Sequence, residues 1–252
     1  MCSTDNSHLA PVIYIAESPE QAINYKWDSR SKWLNKNVKV LDCDAITQLG
    51  KGKEHFYLPY DLTPGEALIR HPYNQGYILA TDAEHEYLSA SAEGIFLVAR
   101  CLGATKISYK KCNIAEFKRE IDSKNSLHYK AVDMNLNIKQ TIEQNLLNKI
   151  KMTREFPKQE FTESDFKKAK IIAQERGLLL SSDIRSLFDA RDPALGAPMT
   201  HQTVNVEISS SLNKALDIAF TLNVVPFFNL SSNTKIVTEK KLELNIEWDI
   251  IF

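Results

Sequence analysis

Hydrophobic and polar residues alternate over long stretches of the C-terminal part of the chain. Apolar residues occupy even-numbered positions in the last predicted strand, between residues 236 and 250, and again between residues 216 and 224. A shorter alternating run covers 204–208. Because successive side chains of a strand point to opposite faces, the pattern predicts strands with one buried and one solvated face. A turn at 226–233 would join the last two strands into an antiparallel hairpin. The apolar positions of the final strand are Ile236, Leu242, Leu244, Ile246, Trp248 and Ile250.

Two more alternating runs, at 127–138 and 146–156, predict strands that join the C-terminal set. A helix is predicted between them and that set, over residues 162–178. Its start is marked by Thr162 and Asp165, which have the spacing of a capping box, in which each side chain hydrogen-bonds the other residue's backbone N–H group.

The N-terminal part has shorter elements of mixed type. Apolar runs at 12–16 and 38–42 predict two strands, and Ser18 followed by Pro19 is typical of a helix start between them. This order is that of a β-α-β unit. The turn lacks both GxGxxG and GxxxxGK[ST], so nothing there indicates a nucleotide site.

A hairpin is predicted next, over residues 67–79. The helix after it begins with a capping box at Thr81 and ends before Gly103, which occupies the position of a left-handed cap. A strand at 106–110 and a short helix at 114–121 complete this part.

These elements predict an α+β fold: an N-terminal α/β layer followed by a mostly antiparallel β-sheet with one inserted helix. We expect an α/β domain over residues 1–122 and a β-rich domain over 123–252, which contains the helix at 162–178. A chain of 252 residues is long enough to bury a core in either part.

The overall charge argues against a protein that binds polyanions. The chain has 31 Lys and Arg against 32 Asp and Glu, a net charge of -1, so nucleic acid is an unlikely partner. Residues 1–10 lack the apolar segment of a secretory signal, and no run is apolar enough for a transmembrane helix, so we expect a cytoplasmic chain. In that setting the cysteines are expected to be free thiols; they are Cys2, Cys43, Cys101 and Cys112.

Candidate catalytic side chains are densest between residues 61 and 86. His71 ends a predicted strand and His85 lies in the first turn of the next helix, so the hairpin could bring them together with Asp61 and Glu86 for acid–base chemistry. The competing interpretation is that Glu86 stabilises the helix N-terminus and His85 is solvated. No HExxH or other metal motif occurs, and no cofactor or metal is predicted.

Three functions are compatible with these patterns. The absence of a catalytic constellation favours a non-enzymatic binding or assembly protein that acts through its β-rich region, with a protein partner or by self-association. An alternative is a membrane-active protein of the pore-forming type, because the strands predicted at 136–156 and 216–248 have the length of membrane hairpins. A further alternative is a small hydrolase-like enzyme with a His/carboxylate cleft.

Overall fold

The computed structural model has an α+β fold with two sheets that are mostly antiparallel. No helix within the described part of the chain combines the length and apolar composition needed to cross a bilayer. Cys2 and the polar N-terminus lie outside the described residues. The structure describes residues 10–28, 37–51, 57–72, 76–122, 124, 126–150, 153–196, 199–224 and 228–252.

Strands and helices are labelled separately in chain order. The strands are β1 (Val12–Ile15), β2 (Val38–Leu41), β3 (Ala67–Arg70), β4 (Tyr77–Leu79), β5 (Lys106–Ile121), β6 (Leu127–Val132), β7 (Thr153–Glu155), β8 (His201–Glu207) and β9 (Lys240–Ile251). The α-helices are α1 (Pro19–Trp27), α2 (Cys43–Gly50), α3 (Ala83–Cys101), α4 (Leu136–Ile150), α5 (Glu163–Glu175), α6 (Ser182–Ala190), α7 (Ser210–Thr221) and α8 (Ser232–Thr238). Short 3-10 helices lie at Leu178–Leu180, Pro193–Leu195 and Leu222–Val224.

The chain divides into two compact units, each assembled from three separate stretches. The first unit comprises Met1–Glu86, Phe117–Ala131 and Ser211–Lys241, and the second comprises the remaining stretches. The unit boundaries fall inside α3, β5, β6, α7 and β9, and a domain boundary between residues 122 and 123 stays a prediction.

A four-stranded sheet in the first unit has the order β2-β1-β3-β4. β1 runs parallel to β2 and antiparallel to β3, and β3 forms a hairpin with β4, so the predicted β-α-β unit and hairpin are confirmed. Ser18 caps α1 by accepting a hydrogen bond from the Gln21 N–H group. One face of the sheet and helix α2 together form an apolar core, in which α2 contributes Ile46 and the sheet contributes Ile13, Ile15, Leu68 and Tyr77.

A five-stranded sheet has the order β6-β5-β9-β8, and β7 also pairs with β5. In the second unit β8 and β9 are antiparallel, with Val204 opposite Trp248. Trp248 is fully buried and meets the Phe96 ring edge-on at 5.3 Å. Phe96 belongs to an apolar stripe of α3 that is buried throughout: Leu88, Ala92, Ile95, Phe96, Ala99 and Leu102.

Local signals placed two helix ends correctly. Thr162 and Asp165 form the predicted capping box at the start of α5. Gly103 has a φ of +85°, which is the left-handed conformation expected after α3. A further helix, α6, covers residues 182–190.

The strand predicted at 216–224 is wrong, and so is the hairpin that it was to form with the last strand. Residues 216–221 belong to α7, residues 222–224 form a 3-10 helix, and Ile236 lies in α8, so helices precede β9 where the hairpin strand was predicted. The spacing of the buried residues explains the error, because it follows the helical period of 3.6 as well as the even positions. The buried apolar residues of α7 are Leu212, Ala215, Leu216, Ala219 and Phe220. Residues 225–227 of the predicted turn lie outside the described residues.

Two other predicted elements are also of the wrong type. The segment 114–121 continues strand β5 because pairing with neighbouring strands overrides its local helical pattern. The segment 136–150 is helix α4, and only Thr153–Glu155 of the second predicted run is a strand. Residues 151–152 lie outside the described residues. Of the strands expected for membrane hairpins at 136–156 and 216–248, residues 136–150, 216–224 and 232–238 are helical, whereas 153–155 and 240–248 are strand.

A buried arginine organises the later stretches of the first unit. Arg119 on β5 is 1% exposed, and its Nε donates to Asp217 of α7 at 2.6 Å. One terminal nitrogen donates to the Thr238 carbonyl, and the other donates to the Asn213 side chain. Tyr129 of β6 donates to the second Asp217 oxygen at 2.8 Å. The charge is thus paired and hydrogen-bonded, as a buried charge requires.

Replacing Arg119 should destabilise the protein strongly. In Arg119→Ala the Asp217 carboxylate loses its counter-ion and the Thr238 carbonyl loses its donor, so we expect a loss of about 3 kcal/mol or more in the free energy of unfolding. Urea unfolding followed by circular dichroism measures it. Lys118→Ala, which removes the exposed neighbouring cation, is the control and should change stability by less than about 0.5 kcal/mol. Equal stability of the two variants would contradict the assigned role.

Candidate functional site

A groove of about 710 Å³ lies in the first unit, along strand β2. Helix α1 and helix α2 contribute its two sides, and every residue of β2 contributes to its floor. The residues that line it are Ala22, Tyr25, Lys26, Trp27, Val38, Lys39, Val40, Leu41, Ala45, Gln48 and Leu49. A volume of this size is within the range of ligand sites, about 300–1,000 Å³.

The groove follows the edge of the sheet rather than one of its faces. Alternate side chains of a strand point to opposite faces, so four consecutive residues can line one groove only if it runs along the strand edge. β2 is the outermost strand of its sheet, and within the described residues no strand pairs with its other side. The groove therefore presents main-chain groups as well as side chains.

The pairing with β1 determines which main-chain groups face the groove. The Ala16 N–H group donates to the Leu41 carbonyl at 2.8 Å, so the polar groups of Leu41 point toward β1. In a parallel ladder these groups alternate, so Lys39 also points toward β1. The N–H and C=O groups of Val38 and Val40 consequently point away from β1, into the groove.

An outer strand in the second unit is covered differently. β8 is also the last strand of its sheet, and its Asn205 N–H group donates to the Asp183 carboxylate at 2.8 Å. The Ser181 hydroxyl donates to the Asn205 carbonyl at 3.4 Å. Side chains at the start of α6 thus satisfy the main chain of β8, which is one way that proteins protect exposed strand edges.

Aromatic packing fixes the side of the groove formed by α1. The Tyr25 ring stacks on Phe228 with centroids 4.4 Å apart, and Phe228 meets Tyr14 edge-on at 4.7 Å. Burial is the largest cause of two pKa shifts: it raises the pKa of Tyr14 to about 12, and it also raises the pKa of Tyr25. Both phenols are therefore neutral at physiological pH, and Tyr25 is held in position before any ligand arrives.

Trp27 provides the most exposed apolar surface of the groove. It ends α1 and is 78% exposed, and Ile23 on the preceding turn is 55% exposed. The two residues lie on one side of the helix, because positions four apart share a face. Trp27 lines the groove and Ile23 does not, so Trp27 is the exposed apolar side chain that a ligand in the groove would meet.

Helix α2 closes the other side. Asp42 caps it by accepting a hydrogen bond from the Ala45 N–H group at 2.8 Å. Ile46 anchors the helix in the core of the unit, with Leu41 and Leu49 packed against that core. Gln48 is exposed at the rim. This anchoring makes the second wall as fixed as the first.

The sequence-predicted catalytic residues all lie in the first unit, outside the lining of this groove. His71 is buried and its N–H group donates to the Gly76 carbonyl, whereas Asp61 is exposed. His85 Nδ1 is 3.4 Å from the Glu86 carboxylate, and both side chains are nearly half exposed. The contact between His85 and Glu86 joins sequence neighbours at the surface, and the catalytic role of the four residues stays a prediction.

A second His/carboxylate cluster occurs on the paired strands of the second unit. His201 Nε2 lies 2.7 Å from the Asp249 carboxylate, and the Thr203 hydroxyl donates to the same oxygen at 3.2 Å. In a catalytic triad the histidine lies between the nucleophilic hydroxyl and the carboxylate. Here the Asp249 carboxylate lies between His201 and Thr203, so the three groups are not in that order. The arrangement is that of a surface ion pair. The sequence alone does not identify this cluster, because its residues come together only through the β8–β9 register.

Neither a metal cluster nor a relative identifies the chemistry of the groove. Across the described ranges, no group of three or more His, Cys, Asp or Glu side chains is placed to hold a metal ion. No protein-family model, curated protein or solved structure matches the chain. The open edge of β2 and its flanking helices are the features on which a function can be argued.

The His201–Asp249 pair makes the free energy of unfolding depend on pH in the acidic range. The hydrogen bond from His201 lowers the pKa of Asp249, so the carboxylate stabilises the fold above its unfolded pKa of about 3.9. That stabilisation is lost as the pH falls through the lower folded pKa. At about pH 6 we expect wild type to have a larger free energy of unfolding than Asp249→Asn. This difference should shrink below about pH 4. Urea unfolding at each pH measures it, and a difference that grows toward acid would contradict the assignment.

Proposed function

We propose that this protein is a non-enzymatic binding protein that takes an extended segment of another polypeptide along β2, as an added strand. The observation that carries the proposal is the outer edge of β2, which no strand of the described residues pairs with, inside a groove with two anchored walls. Strand addition of this kind is a common mode of peptide recognition, in which main-chain hydrogen bonds give affinity and flanking pockets give specificity.

The main chain of β2 provides both kinds of hydrogen-bonding group. Val40 is partly exposed and presents an N–H and a C=O group to the groove, whereas Val38 at the start of the strand is only 3% exposed. An extended peptide can bond both kinds at once, with a net gain of about 0.5–1.5 kcal/mol per hydrogen bond. Four residues of strand span ~13 Å, which accommodates a short segment.

The side chains add apolar anchors to this template. Trp27 is largely exposed and would lose most of its water contact when a segment covers it. Tyr25 is already ordered by Phe228, so its contribution costs little conformational entropy. Aromatic anchors of this type dominate the binding energy of many interfaces.

The proposal keeps the sequence-based hypothesis of a binding protein but moves the surface. The hypothesis assigned binding to the β-rich C-terminal region, whereas the groove lies on the β-α-β unit near the N-terminus. A second copy of the chain is another source of an added strand. The solution mass separates that case from binding of a different protein.

The first test uses the Val40 N–H group. Proline at this position removes the outward donor but leaves the β1 bonds of Lys39 and Leu41 in place, and proline is tolerated on strand edges. Peptides are first selected from a random library displayed on phage and then measured by fluorescence polarisation. We expect Val40→Pro to weaken the selected peptides at least about tenfold, the equivalent of one or two hydrogen bonds.

Val40→Ala is the matched control, because it shortens the same side chain and keeps the N–H group. It should bind within about threefold of wild type. The proposal would be overturned if the selected peptides bound Val40→Pro as tightly as wild type, or if the library yielded no peptide above background. It would also be overturned if light scattering showed that the wild-type protein is a dimer and that, of the variants, only Val40→Pro is a monomer.

The second test removes the anchor at the end of α1. Trp27→Ala should weaken the same peptides by about 2 kcal/mol, or about thirtyfold, because a central aromatic side chain carries much of the binding energy. Ile23→Ala is the control, since it removes an exposed apolar side chain from the same helix that does not line the groove. Equal losses in the two variants would exclude the groove as the binding surface.

A further inference from the structure

We infer that the segment bound along β2 alternates apolar with acidic side chains, with the apolar ones over α1 and the acidic ones over α2 beside Lys39. This inference rests on the proposed function, because it concerns the partner of the same groove. It follows from which side chains of β2 share a face with which helix.

The β1–β2 register assigns the two faces. Val40 lies opposite Tyr14, and paired residues of neighbouring strands point to the same face. Tyr14 and Tyr25 of α1 are in edge-on contact, with centroids 6.5 Å apart, so Val38 and Val40 face α1. Lys39 lies opposite Ile13, which packs with Ile46 of α2, so Lys39 and Leu41 face α2.

The two faces differ in chemistry. The α1 face presents Val38, Val40, Tyr25 and Trp27, an almost wholly apolar surface with Lys26 at the end of the helix. The α2 face presents two polar side chains, Lys39 and Gln48, above a smaller apolar floor. An added strand sends alternate side chains to these faces, so it needs apolar residues at every second position and polar ones between them.

The charge of the lining selects acidic residues among the polar ones. Lys26 and Lys39 are the charged residues that line the groove in the described part of the chain, and both are cationic. The whole chain has a net charge of -1, so this is a local feature and not a general attraction for acids. Opposite charges on neighbouring strands stabilise pairing, and like charges oppose it.

The main chain of β2 distinguishes a peptide from a phosphate-bearing partner. Phosphate groups accept hydrogen bonds and could bind the lysines, but they would meet the outward carbonyls of Val38 and Val40, which are acceptors too. A peptide donates and accepts in alternation, as this edge requires. Acidic side chains on a peptide therefore fit the groove better than a polyphosphate chain does.

Three synthetic peptides of equal length test the inference. All have valine at alternate positions, and the residues between are glutamate, glutamine or lysine. Fluorescence polarisation at low salt should rank them glutamate, glutamine, lysine, with about a tenfold difference between the first and the last. The difference should shrink in about 0.5 M salt, because exposed charges are then screened.

Lys39→Glu should reduce the glutamate-over-lysine ratio at least about fivefold, because it reverses the charge beside the added strand. Lys51→Glu is the control, since Lys51 follows α2, is exposed and does not line the groove. It should leave the ratio unchanged. Circular dichroism confirms that each variant is folded.

The outcomes separate the two claims. Equal binding of all three peptides, combined with a loss in Val40→Pro, would overturn the charge preference and leave strand addition standing. A ratio that changes equally in Lys39→Glu and Lys51→Glu would overturn the placement of the acidic residue. No binding of any peptide by wild type, with Val40→Pro indistinguishable from it, would count against strand addition itself.

Discussion

A strand that is paired on one side only leaves half of its main-chain hydrogen-bonding groups unmatched by the sheet, and the groove depends on β2 being such a strand. The bond between Ala16 and Leu41 fixes the direction of every polar group along it. β8 occupies the corresponding position in its own sheet, but Asp183 and Ser181 satisfy its Asn205. The contrast distinguishes β2 from β8: within the described residues, β2 keeps both hydrogen-bonding capacity and adjoining space.

The walls of this edge depend on contacts that are distant in sequence. Phe228, which orders Tyr25, lies between α7 and α8. Arg119 binds the side chain of Asp217 on the first of these helices and the carbonyl of Thr238 at the end of the second. The buried arginine thus holds the two helices that flank Phe228 in the sequence.

Local signals in the sequence predict much of the fold and little of the groove. Capping at Thr162, the glycine after α3 and the β1-α1-β2 order depend on neighbouring residues, and they were predicted correctly. The stretch 216–224 was not, since its apolar residues fit both the two-residue and the 3.6-residue period. Trp27 has the spacing of a core residue, and its exposure depends on what packs against α1. The edge position of β2 depends on non-local pairing, which no local pattern encodes.

Hydrogen exchange of individual β2 amides, measured by NMR with and without the alternating valine–glutamate peptide, tests strand addition most directly. The account predicts that the Val40 amide exchanges freely in the unbound protein and at least about tenfold more slowly with the peptide. The Lys39 and Leu41 amides, which face β1, should be protected in both states. Binding that leaves Val40 exchange unchanged while other amides become protected would contradict the account.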